Sequence, residues 1–144
     1  MDYFSIIDGS VWVSKQTVAV DFDGVIHSYT SGWHGPDVIT DSMVPGAARF
    51  LIELSKEYDI VILSTRAGQT DQVEGVMREW LHLEMAAQLD QDMYAEVFQL
   101  AWNIKITNSK VPAIVYIDDR ACRFEGTFPT MDEIKELSTP WNKK

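Results

Sequence analysis

Apolar and polar positions along the chain follow two alternating periods. Val18-Ala19-Val20, Ile60-Val61-Ile62-Leu63, Ile104-Lys105-Ile106-Thr107 and Ala113-Ile114-Val115-Tyr116-Ile117 are short runs rich in β-branched residues. They read as four strands of a mainly parallel sheet. Between them the apolar spacing becomes helical. After Pro45, which can open a helix, Ala47, Phe50, Leu51, Leu54 and Tyr58 trace one stripe. Val73, Val76, Met77, Trp80 and Leu81 trace another, with Thr70 or Asp71 as its cap. Residues 85–102 predict an extra helix, on which Ala86, Leu89, Met93, Val97 and Leu100 repeat and Tyr94 and Phe98 widen the band. It is expected to pack within the chain rather than form a dimer face. Met131 to Leu137 predicts a short last helix. Strand-length and helix-length segments in alternation give an α/β fold. Within residues 1–16 a hairpin is predicted, Phe4 to Ile7 and Ser10 to Val13 about an Asp8-Gly9 turn, extending or covering the sheet.

Composition narrows the classes. A chain of 144 residues, 46% hydrophobic, reads as a single domain, 1–144, with one core. Twelve basic residues against 22 acidic ones give a formal charge of −10, which argues against stable nucleic-acid or anionic-membrane binding. No apolar run approaches the roughly 20 residues that span a bilayer. The Met-Asp start carries no basic-then-apolar leader, so a cytoplasmic protein is expected. Cys122 is a lone cysteine, suited to a reducing compartment, and reads as a small buried apolar residue.

Chemistry gathers where the apolar runs end. Asp21 and Asp23 follow the first strand, start on one face of it, and are followed by Gly24, which allows a turn and leaves the backbone open to a ligand. Ser64-Thr65-Arg66 follows the second strand, Lys110 precedes the fourth, and Asp118-Asp119-Arg120 follows it. In a parallel sheet these ends share one edge, where open α/β folds bind ligands. The set offers a nucleophile and an acid, a phosphate-binding hydroxyl, a cation, and carboxylates for a hard ion such as magnesium. A calcium loop is excluded, because its fifth and twelfth positions would fall on Val25 and Gly32. His27 and His34 are poor choices as ligands for such an ion. Residues 27–42, polar and glycine-rich around Trp33, predict a mobile flap over the site.

Four motifs in this order resemble those of haloacid dehalogenase-superfamily phosphatases, over about Thr17 to Leu137. The Tyr-Ile-Asp-Asp-Arg-Ala ending resembles small bacterial and phage members, and Ser64-x-Arg66 with Asp118-Asp119-Arg120 is similar to the phosphatase domain of phage polynucleotide kinases. The resemblance implies a three-layer Rossmann-like fold with a minimal cap, in a bacterial or phage-infected cell. It implies a magnesium-dependent phosphomonoesterase acting through an aspartyl-phosphate. Asp21 is then the nucleophile. Asp23 is the general acid, its pKa expected to be raised, and an acid at this position favours phosphoester hydrolysis. Lys110 is expected to pair with Asp21 and the phosphate, with Lys105 as competitor. Ser64 or Thr65 holds a phosphate oxygen, and Arg66 contacts substrate. Asp21, the Asp23 carbonyl and Asp119, with Asp118 beside or in place of it, hold Mg2+.

Two other classes compete. A response-regulator receiver uses similar residues but carries its acidic pair first, whereas here the pair comes last. An idle phosphate-binding relative would tolerate incompetent residues, and every motif position is competent. The expected substrate is a small phosphorylated metabolite, such as a nucleotide, with a polynucleotide end as the alternative. The protein is read as a monomer or homodimer.

Overall fold

The computed structural model describes residues 15–143, together with the backbone of 4–7 and 10–13. Two antiparallel strands, β1 (Phe4–Ile7) and β2 (Ser10–Val13), pair with each other in a sheet of their own. The predicted hairpin register is present, but it does not extend the main sheet; its Asp8-Gly9 turn lies outside the described residues.

The main sheet has four parallel strands: β3 (Thr17–Asp21), β4 (Asp59–Leu63), β5 (Lys105–Thr107) and β6 (Val115–Ile117), in the order β5-β4-β3-β6. Register fixes the faces. Val18, Ile60 and Val115 align, as do Val20, Ile62 and Ile117. Val18, Val20, Ile60 and Ile62 meet Leu51, Met77, Leu81, Met85 and Val97 in the core. Thr17, Ala19 and Asp21 point to the other face.

The helices of the core are α1 (Ala47–Glu57), α2 (Val73–Gln88) and α3 (Tyr94–Asn103), packed against one another. Leu51, Met77, Leu81 and Met85 are fully buried, each contributing about 1.5–3 kcal/mol of transfer free energy. On α1 the inward face is Ala48, Leu51 and Ile52, while Phe50, expected inside, is 42% exposed. The extra helix is shorter than expected. Residues 85–88 continue α2, Leu89 and Asp90 are extended, and α3 starts only at Tyr94. Leu89 and Met93 still pack on the core, which preserved the helical spacing through the break. Thr70 and Asp71 do not cap α2, whose N-cap is Gln72 without a side-chain bond.

A third layer is weakly developed. The β5–β6 connection is a loop without a helix, and α4 (Met131–Leu137) buries none of its residues. Thr130 caps α4 by accepting the Glu133 amide. Cys122, expected inside, is exposed, because the segment after β6 runs along the surface. Among the described residues no helix is long and apolar enough to cross a membrane.

Candidate active site

From β3 the chain steps outward through β4 to β5, then returns to place β6 on the free side of β3. The crevice at the carboxyl ends of β3 and β6 is therefore the point where strand order reverses, the usual ligand position in an open parallel sheet. Asp21 ends β3 there, and Asp118 and Asp119 follow β6. One carboxylate oxygen from each lies within 4.8 Å of the other two.

The loop after Asp21 is tightly wound. The Phe22 carbonyl accepts the amides of Ile26 and His27 at 3.0 Å, and Gly24 donates to the His27 carbonyl at 2.8 Å. Gly24 has φ +90°, and a Cβ there would lie 2.3 Å from Asp119 Oδ2. Only glycine lets the Asp119 carboxylate rest against this loop. The Gly24 carbonyl accepts the Trp141 indole N–H at 2.7 Å, Ser28 O accepts Asn142 Nδ2 at 3.0 Å, and Thr30 O accepts Lys143 Nζ at 3.1 Å. This stapling by residues 141–143 carries no signal in the sequence pattern.

Three crowded carboxylates need neutralising. Burial, then the charge of Asp118, pushes the Asp21 carboxyl up from 3.8 to about 7; Asp119 adds to the rise and a backbone hydrogen bond at Phe22 opposes it. The ion pairs among the described residues involve other carboxylates. Asp119 Oδ1 is buried without a hydrogen-bond partner among these residues. An all-oxygen donor set with an unsatisfied buried oxygen fits a hard divalent cation, and Asp21, Asp118 and Asp119 would hold it.

Asp23 departs from expectation. Its carboxylate accepts Arg66 Nε at 2.9 and 3.1 Å and faces His27 Nδ1 at 2.8 Å. Burial alone would raise its pKa, but the hydrogen bonds from His27 and Arg66 and the Arg66 charge outweigh it, and the carboxyl is held below 3.8. The expected rise is thus reversed: what surrounds Asp23 is a buried cation rather than other acids. His27 is fully buried, and its Nε2 accepts the Asp41 amide at 3.1 Å. That bond sets the tautomer, leaving Nδ1–H to donate to Asp23. In the sequence the only trace of this anchor is the spacing of four between Asp23 and His27.

The remaining motif residues divide. Ser64 is buried one residue past Leu63, which aligns with Asp21; its amide donates to Thr107 O at 2.9 Å, and its Oγ accepts the Arg66 amide at 3.2 Å. Thr65 is exposed. Arg66, read as a substrate contact, is fully buried, and its Nη2 has no partner among the described residues. Lys110 does not pair with Asp21. It is exposed, with Nζ 5.5 Å from the centre of the Tyr116 ring. Lys105 starts β5 at the opposite sheet edge and is no substitute. Arg120 is exposed and contributes its amide, which donates to Asp118 Oδ1 at 2.7 Å. His34 is exposed and bonds Ser31 O.

Two cavities bracket the sheet. One of about 790 Å³ opens at the amino ends of the strands, by Thr17, Asp59, Lys105 and Leu100, away from the acidic cluster. The other, about 310 Å³, adjoins Asp119 between Arg120, Cys122 and the α4 residues Ile134 and Leu137. Comparison with family models, curated proteins and solved structures returned no match to this chain.

Proposed function

We propose that the protein is a magnesium-dependent phosphomonoesterase of the haloacid dehalogenase type, acting on a small phosphorylated substrate. The observation that carries this reading is the meeting of Asp21, Asp118 and Asp119 in the β3–β6 crevice, with Ser64 buried just past Leu63, the β4 residue that aligns with Asp21. Magnesium held by these carboxylates would offset their repulsion and draw charge from the phosphoryl oxygens. The Asp21 carboxylate attacks phosphorus, the phosphorus–oxygen bond to the alcohol breaks, and water then hydrolyses the aspartyl-phosphate. A carboxylate is a weak nucleophile, so the acceleration rests on position and charge. Ser64 donates to a phosphoryl oxygen.

Asp23 is committed to Arg66 and His27 and holds its proton poorly. The leaving alcohol is therefore little assisted, and esters of acidic alcohols are the favoured substrates. The test is hydrolysis of a graded panel of phosphomonoesters with magnesium, by wild type and by Asp21→Asn. Turnover in the wild type and its near-complete loss in the variant support the reading; equal rates overturn it.

A second reading, a cation- and phosphate-binding module without turnover, is favoured by the exposed position of Lys110. Magnesium binding with no hydrolysis across the panel would select it.

A further inference from the structure

Arg66 makes more contacts to the backbone of one segment than any role as a lone phosphate ligand requires. It sits in the loop after β4 and is fully buried. On one side its Nε donates to both oxygens of Asp23. On the other its Nη1 donates to the carbonyls of Gly35 at 2.9 Å, Pro36 at 2.9 Å and Val38 at 3.1 Å. The guanidinium carbon lies 4.7 Å from the centre of the Trp33 ring. Its own amide is fixed by Ser64 Oγ.

We infer that Arg66 is a positioning residue: it clamps residues 33–38 to the catalytic loop through Asp23, so that the segment is a fixed wall of the site rather than a swinging lid. The chemistry explains the choice of side chain. Three carbonyl oxygens gathered round one nitrogen repel one another unless a cation faces them, and a buried cation needs a carboxylate in turn. Asp23 supplies it. Only the planar guanidinium presents donors in two directions at once and stacks on an indole. A lysine ammonium reaches one side or the other. Gly35, at φ +113°, lets the segment turn its carbonyls inward. The Asp23 carboxylate, held by both of its oxygens, belongs to the clamp. Only the activity readout below rests on the phosphomonoesterase reading.

Hydrogen exchange on the full chain tests this directly. The Val38 amide is bonded to Gly35 O and the Asp41 amide to His27, so both report on the segment. In Arg66→Lys, amides of residues 31–41 should exchange about tenfold faster or more, while those of β3, β4 and α2 keep wild-type protection, the signature of a local opening. Asp23→Asn should give the same pattern more weakly. Unchanged exchange in 31–41 would overturn the clamp. So would equal loss across the sheet, which would make Arg66 a residue of the fold. For a wild type that turns over phosphomonoesters, Arg66→Lys should raise KM more for a bulky ester than for a small one. A uniform fall in kcat with KM unchanged would contradict a positioning role. Absence of turnover in the wild type would sink the functional proposal and leave the exchange result to decide the clamp.

Discussion

Gly24→Ala tests the acidic cluster through a single methyl group. Two costs add. The backbone at Gly24 has φ +90°, a region that costs an L-residue on the order of 1–2 kcal/mol. The new Cβ would stand 2.3 Å from Asp119 Oδ2 and 2.9 Å from its Cγ, an overlap of the kind that costs about 1–3 kcal/mol. The Asp119 side chain can swing away and relieve part of that overlap, so the sum is about 2–4 kcal/mol. For a domain of this size it corresponds to a fall in Tm of about 6–15 °C. Swinging away takes Asp119 out of the cluster. The variant should therefore lose most of the magnesium-induced rise in Tm as well as stability in metal-free buffer. Thermal unfolding with chelator and with graded magnesium measures both effects. A variant destabilised as expected but retaining the full wild-type response to magnesium would refute the placement of Asp119 in the cation site.

Further outcomes follow from the charges. Because the Asp21 pKa is raised from 3.8 to about 7, its contribution to stability is present in full below pH 3.8 and is lost as pH rises to about 7. Metal-free protein should lose Tm across that window from this group, and the magnesium-induced gain should be larger at pH 8 than at pH 5; equal gains would contradict it. Asp23 has the opposite sign. Its depressed pKa supplies stability above pH 3.8 that disappears as pH falls through the lower folded value, so Asp23→Asn should flatten the acid limb of a stability–pH curve. With 12 basic residues against 22 acidic, a nucleoside monophosphate should be hydrolysed with higher kcat/KM than an oligonucleotide ending in the same phosphate. A preference for the oligonucleotide that grows as salt falls would favour the polynucleotide-end reading.

The strands and the acidic cluster were legible because each rests on a local pattern with one physical cause. A short, continuous β-branched run such as Ile60-Val61-Ile62 suits a strand buried on both faces, and it is too short for a helix. Failures came where a side chain answers to distant partners. Arg66 looks like any arginine beside a serine, and only the fold reveals that Asp23, Gly35, Pro36 and Val38 converge on it. Chain order puts Lys110 just before β6, yet the seven-residue β5–β6 loop, 108–114, carries it over Tyr116 instead. The helix break at Leu89-Asp90 left no mark, because both flanking segments keep their apolar residues on one core.

The pairing of β3 with β6 has a kinetic consequence. Val18 aligns with Val115 and Val20 with Ile117, so this contact closes most of the chain into one loop, whereas β3–β4 and β4–β5 close much shorter ones. Loop-closure entropy places the long pairing late in assembly. The three carboxylates come together only when β6 docks on β3, because Asp118 and Asp119 directly follow β6. An ion bound among them stabilises the native state without stabilising the barrier before it. Magnesium is accordingly expected to slow unfolding in proportion to its binding and to leave the folding rate nearly untouched, making the ion a lock on the finished structure rather than a nucleus for it.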